Sequence, residues 1–281
     1  MSSALISLII AMLSFQVGAT VAKQLIPLVG APGTTALRLG ISALLLTAAQ
    51  RPWRTMPPRE AWPVLLAYGV SLGTMNFVFY QALRTIPLGI AVGLEFTGPL
   101  AVALLGSRHR LDFLWLALAV TGLLFLLPLA PGNSVDPRGV GFALAAGACW
   151  ALYIVFGKKA GRAHGGATAT WGMLIAACLI VPFGVADARP ALFAVNVLPM
   201  GVAVAVMSSA LPYTLEMIAL RRLSTRTYGT LMSVEPALAA LAGLVLLGER
   251  LTTRQWLAIG AVIVASVGTL GQESATADQV P

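Results

Sequence analysis

The chain has 281 residues, of which 58% are hydrophobic and only 10% charged, and its mean hydropathy is +0.87. A soluble domain carries about 25% charged residues and a spanning helix needs about 20 apolar ones, so this composition excludes a water-soluble domain and suits a chain that crosses a bilayer about ten times. The net charge of +8 sits in gaps between apolar runs rather than on a water-facing stripe, which argues against a nucleic-acid partner.

In chain order, the apolar runs break at charged or Pro/Gly-rich gaps into spans 4–22, 34–49, 62–82, 87–106, 112–130, 139–157, 167–184, 197–220, 227–248 and 254–270. Each run is continuously apolar at helix length, whereas a transmembrane barrel strand would alternate over about ten residues. The expected fold is therefore all-α and polytopic, with ten transmembrane helices. No Lys or Arg precedes the first run and many spans follow it, so it reads as an uncleaved first helix. Cys149 and Cys178 fall inside spans without a pairing pattern and read as packing residues. Residues 272–281 read as a polar, disordered C-terminal tail.

Lys and Arg on alternate connectors set the expected orientation. One set holds Arg51, Arg54, Arg59, Arg108, Arg110, Lys158, Lys159, Arg162, Arg221, Arg222 and Arg226; the other holds Lys23, Arg84, Arg138, Arg189, Arg250 and Arg254. The richer set belongs to the second, fourth, sixth and eighth connectors, which places it and both termini in the cytoplasm.

An internal repeat organises the chain. Aligning Pro99 with Pro236 also pairs Ala82, Leu83 and Arg84 with Ala219, Leu220 and Arg221, Ser71 with Ser208, Leu94 with Leu231, and Gly106 with Gly243. The two proline-bearing spans are each the fourth of five, giving a first repeat at 1–137 and a second at 138–271. Five is odd, so the second repeat must enter the membrane inverted relative to the first. Inverted repeats enclosing a central cavity are a recurrent build for secondary transporters.

Charge inside a span costs about 2.5 to 3.5 kcal/mol on insertion scales and marks a functional site with a partner. Arg38, Glu95, Glu216 and Glu235 meet that description. Glu95 and Glu235 approach the midplane, each about 12 Å from a helix end at 1.5 Å per residue, and both sit beside prolines. Pro99 frees the Glu95 carbonyl and Pro236 the Met232 carbonyl. Freed acceptors next to a carboxylate suit a substrate ammonium, since irregular backbone at this depth is tolerated only where it is buried or lines a cavity. The alternative is that the prolines kink helices for packing and the charges form a structural ion pair.

Asn76 and Tyr80 lie one turn apart on the third span, and Tyr213 and Glu216 are similarly spaced on the eighth, so facing helices can line one pocket. Interhelical hydrogen bonding is the plainer reading of each. Trp150 and Tyr153 can stack an organic cation, though packing explains them as well. Mid-span aspartate is missing, and His109 and His164 sit in connectors. Neither a phosphate-cradling loop nor a Cys/His metal cluster occurs, so no catalytic site, metal or cofactor is expected.

The stretches GVSLGTMNFVFYQALRTIPLGIAVGLEFTGPLAVAL from Gly69, LPYTLEMIALRRLSTRTYGTLMSVEPALAALAGLVLLGE from Leu211 and LVGAPGTTALRLG from Leu28 resemble the bacterial inner-membrane threonine and homoserine exporters of the drug/metabolite transporter superfamily. The resemblance covers nearly the whole chain. It implies ten helices in two repeats around a central cavity, and export of small hydrophilic amino acids coupled to the proton gradient.

On this reading Glu95 meets the substrate amine, with Asn76, Tyr80 and Tyr213 around it and Arg38 meeting the carboxylate. Glu95, Glu216 or Glu235 exchanges the proton, and Pro99 and Pro236 break the helices. The partners are the amino acid, protons and membrane lipid, with a homodimer left open. The alternatives are a broad efflux carrier for drugs or lipophilic cations, and a membrane scaffold or receptor that transports nothing.

Overall fold

The computed structural model describes residues 2–54, 56–106, 114, 117, 118, 121, 122, 125, 136–164, 168–212, 215, 232 and 234–277. Every regular element among them is helical. Most of the expected fifth span, the start of the ninth, and the candidate residues Tyr213 and Glu216 lie outside the described residues.

Helix α1 runs Ser2–Gln50. Unbroken, it would reach about 70 Å, more than twice a hydrocarbon core of about 30 Å. Gly30 divides it. With φ 70° and ψ 169°, that residue adopts a conformation closed to side chains with a Cβ, and it separates a limb at 2–29 from one at 31–50. Pro27 and Pro32 flank the break, each withholding an amide from the ladder. The Thr34 and Thr35 hydroxyls donate to the Gly30 and Ala31 carbonyls, both at 2.8 Å. Lys23, assigned above to a connector, is therefore inside the first limb.

Helix α2 (Trp62–Leu83) opens with Pro63 in its first turn, where a missing N–H costs nothing. A short turn through Pro87 leads to α3 (Leu88–Glu95). Phe96 interrupts the path, and α4 (Thr97–Gly106) follows. Helix α5 (Pro137–His164) is capped by Asp136, whose Oδ1 accepts the Arg138 N–H at 2.9 Å. Helix α6 (Thr168–Ala188) carries Pro182. Helix α7 (Val197–Ala205) runs into a π-helical turn, Val206–Ala210.

Helix α8 (Glu235–Leu247) ends on Gly248, whose φ of 67° lets the Glu249 N–H reach back to the Gly243 carbonyl at 3.0 Å. Helix α9 (Thr253–Ala277) begins with a reciprocal cap: Thr252 N–H donates to Gln255 Oε1 at 2.8 Å, and Gln255 N–H to Thr252 Oγ1 at 3.3 Å. It continues helical to Ala277, so most of the segment expected to be a disordered tail extends the last helix.

Ala4–Gln50, Arg59–Leu83, Pro137–Gly161 and Thr168–Ala188 are long and apolar enough to cross a bilayer; Leu88–Val102, Val197–Ala210, Glu235–Leu247 and Thr253–Ala265 are shorter apolar helices. The outer surface is itself apolar, with Leu44 72% and Val245 75% exposed, as fits a chain whose solvent is lipid. Polar side chains are turned inward: Gln16, Arg38, Asn76, Glu95 and Glu235 are all buried. Helix α1 packs on α6 and α7, α2 on α5 and α6, and α3 on α8. Where α4 crosses α5, the place a side chain on Gly98 would take is occupied by the Gly147 carbonyl, so the two backbones touch.

Candidate functional site

The interior polar groups gather where α1, α2, α3, α7 and α8 converge. Arg38, on the second limb of α1, is held on two sides: Nη1 donates to the Tyr80 hydroxyl at 3.3 Å and Nη2 to the Ser208 carbonyl at 3.0 Å. Its guanidinium also lies 5.6 Å from the Tyr80 ring centre, a cation–π distance. Tyr80 is fully buried, so the ring and hydroxyl form a fixed wall. Asn76, one turn earlier on α2, turns its amide back to the Leu72 carbonyl at 2.8 Å and so braces its own helix with that group.

The π-helical turn explains why Arg38 finds a main-chain acceptor here. A π turn shifts the hydrogen-bond ladder and leaves carbonyls in need of donors, and such turns recur at functional sites. Helix α1 supplies three: Ser14 Oγ to the Met207 carbonyl at 2.7 Å, Arg38 to that of Ser208, and Ser42 Oγ to that of Ala205 at 3.4 Å. Gly18 lets the first limb approach, since a Cβ there would collide with Ser208. Both limbs of the broken helix thus grip one irregular turn.

Opposite charge lies nearby. Glu95 ends α3 and Glu235 begins α8, each 8% exposed, and Glu95 is within Coulombic reach of both Glu235 and Arg38. Gln16 Nε2 donates to Glu235 Oε1 at 3.4 Å. Glu235 Oε2 is buried and has no hydrogen-bond partner among the described residues. An oxygen in that condition is a ready acceptor for a proton or an ammonium, because a buried polar atom without a partner is costly.

Both prolines stand in the first turn of a described helix. Pro99 is the third residue of α4, after the interruption at Phe96, and the Glu95 carbonyl lies against α5: a methyl on Gly147 would stand 2.8 Å from that oxygen. The neighbouring Leu94 carbonyl accepts from Thr97 Oγ1 at 2.6 Å. Pro236 stands in the first turn of α8, where a missing N–H leaves no partner unsatisfied within that helix. Main chain beside Pro99 thus lies at the close α4–α5 crossing.

Trp150 meets Phe96 edge-on at 5.8 Å, and Tyr153 stacks on Tyr68 at 4.9 Å with their hydroxyls 3.3 Å apart; both aromatic rings are engaged in helix packing. Sequence reasoning missed Gln16, Ser14 and Ser42. A polar side chain inside each of two apolar spans was a usable signal, but their acceptor, the π turn, has none in sequence.

Residues 137–271 match the EamA-like transporter family. The chain is similar to a protein named threonine/homoserine exporter RhtA from Escherichia coli (strain K12), with 58% identity over 94% of this chain and 90% of that one. It is 59% identical to the protein of the same name from Salmonella typhimurium (strain SL1344), over 93% and 89% of the two chains. A crystal structure 20% identical in sequence superposes with a TM-score of 0.62 over 99% of both chains, a likeness of fold alone.

Proposed function

The chain belongs to the EamA-like transporter family, and from that premise we propose that it is a secondary active exporter of small hydrophilic amino acids of the threonine and homoserine kind. The observation that carries this is the charge pattern of the buried site: one guanidinium near two carboxylates complements a zwitterion. Arg38 takes the substrate carboxylate, with Tyr80 beside it, and Glu95 takes the ammonium. The relatives' printed names agree in substrate.

Proton coupling follows from the same groups. Two carboxylates in a low-dielectric interior repel when both are ionised, so one proton or one substrate ammonium relieves the pair. Competition between them for Glu95 and Glu235 lets the proton gradient drive export. Glu216 remains a third candidate for this role.

Support for spans of alternating direction comes from which connectors meet. Gly30 lies beside Asp187, Gly33 beside Ala188 and Leu192, and Gly139 beside Thr85 and Ile86, while Lys23 contacts Ile86 and Glu249. These belong to the first, third, fifth, seventh and ninth connectors or their edges, gathered at one end. Two inverted repeats also call for matched packing, and α2 on α5 is answered by α1 on α7. We therefore place the protein in the bacterial inner membrane as ten spans with both termini cytoplasmic, working by alternating access.

The test is threonine and homoserine flux in proteoliposomes under an imposed proton gradient, with E95Q, E216Q and E235Q. Absence of flux for either amino acid removes the substrate assignment. Full proton-driven activity in all three variants removes the coupling.

A further inference from the structure

At the end of the molecule away from the described site's carboxylates, a second polar cluster ties three connectors together. Lys23 Nζ donates to Glu249 Oε1 and to the Ile86 carbonyl, both at 2.6 Å. The other oxygen of Glu249 accepts the Leu88 N–H at 2.7 Å. One carboxylate thus holds a lysine of the first limb of α1 and the first amide of α3, and a side chain on Gly243 would collide with it. Directly beneath, α3 and α8 are in backbone contact: a Cβ on Gly89 would stand 2.6 Å from Ala240 Cα.

These contacts lie between the buried carboxylates and the end of the bundle where the first, third and ninth connectors meet. Helix α3 is a single eight-residue rod with Leu88 at one end and Glu95 at the other, about 10 Å apart at 1.5 Å per residue. Seven residues, about two turns, likewise separate Gln16 from Lys23 on α1, so the cluster caps the column containing Glu95, Gln16 and Glu235. Its side chains are 21% and 13% exposed, which leaves the cluster partly open at the connector end of the bundle. Polar contacts at a partly open edge can be exchanged for water without leaving a buried group unsatisfied, unlike the apolar seam beneath.

We propose that the Lys23–Glu249 cluster is a gate of the transport path: it holds the face bearing the first, third and ninth connectors closed over the buried carboxylates, and cargo leaves by that face when it parts. In the orientation argued above this is the outer face. Because Glu249 grips the end of α3 opposite Glu95, opening moves the rod that carries the substrate-binding carboxylate, which ties access to occupancy.

The experiment uses the full chain in proteoliposomes with Cys149→Ser and Cys178→Ser, and Ala91→Cys as a reporter on α3, buried between gate and site. A membrane-impermeant maleimide is added from the outer face. Labelling is expected to be slow in the parent and about tenfold faster with Lys23→Met or Glu249→Ala, the effect of removing a charge-assisted contact on the open population. Glu249→Gln, which keeps an acceptor, is expected to fall between. Separately, Lys23→Cys with Glu249→Cys, without the reporter, is joined by a short bifunctional methanethiosulfonate; flux is expected to stop and to return on reduction. Parent-rate labelling in the single variants, or undiminished flux through the linked protein, overturns the gate. The labelling needs no knowledge of the cargo, so a different substrate leaves the gate standing and failure of the gate leaves the amino-acid assignment standing.

Discussion

Gln16 Nε2 donates to Glu235 Oε1 across 3.4 Å, joining the first limb of α1 to the first turn of α8. The bond is long, and it leaves Glu235 Oε2 as an acceptor with no described donor. Gln16→Ala removes the donor from the first oxygen as well. Leaving a buried acceptor unsatisfied costs about 1–3 kcal/mol, and the length of this bond argues for the lower part of that range. The expected result is a modest fall in melting temperature in detergent together with a changed substrate KM. Gln16→Leu with an unaltered KM would separate the residue from the site.

Glu95 and Glu235 are expected to fail in different ways when made neutral. Glu235→Gln keeps an oxygen for Gln16 but removes one of the carboxylates proposed to exchange the proton, so substrate counterflow should persist within about tenfold of the parent, a change of about 1.4 kcal/mol, while the response to a pH gradient is lost. Glu95→Gln removes the proposed partner of the substrate ammonium; a hydrogen bond to a charged group contributes about 1.5–3 kcal/mol, so binding of threonine should weaken by about 10- to 100-fold. Calorimetric titration and paired counterflow and gradient-driven assays read the two effects apart.

Much of this arrangement is legible in the sequence because lipid leaves few ways to satisfy a backbone. Continuous apolar runs become helices, and the charges that interrupt them, Arg38, Glu95 and Glu235, are buried at one locality. What stays hidden depends on neighbours distant in the chain. Pro99 is visible, but that the Glu95 carbonyl would press on Gly147 is not. Lys23 reads as one more connector charge until Glu249, 226 positions later, is brought to it. The π turn at Val206–Ala210 has no propensity signature; only the donors of α1 that converge on it show what it does.

Arg38 is expected to tolerate no conservative exchange. Its two donors reach in different directions, to the Tyr80 hydroxyl and to the Ser208 carbonyl, and a lysine ammonium offers no planar fork to span both. Arg38→Lys should raise the KM for threonine about tenfold, the loss of one charged hydrogen bond at about 1.5 kcal/mol. Tyr80→Phe removes a neutral partner and keeps the ring, so its effect should be smaller, about 0.5–1.5 kcal/mol. A Tyr80→Phe loss equal to that of Arg38→Lys would mean that the hydroxyl, not the guanidinium, carries substrate affinity.

Glycines in similar helices should respond in opposite ways to the same methyl group. On Gly98 a Cβ runs into the Gly147 carbonyl, and on Gly147 it stands 2.8 Å from the Glu95 carbonyl; both obstacles are backbone and cannot rotate aside. Overpacking of this kind costs about 1–3 kcal/mol, and here the strain falls on the turn that positions Glu95, so Gly98→Ala and Gly147→Ala should lower both the melting temperature and the flux. Gly141 and Gly260 face open space, with nothing within 4 Å of a Cβ. Alanine is favoured over glycine in a helix interior by about 0.5–1 kcal/mol, so Gly141→Ala and Gly260→Ala should hold or raise the melting temperature and leave flux unchanged. Thermal unfolding of the four variants in one detergent checks the contrast directly: equal destabilisation of all four would mean that the α4–α5 crossing is no tighter than the lipid-facing surface, and the account of how Glu95 is held in place would fail with it.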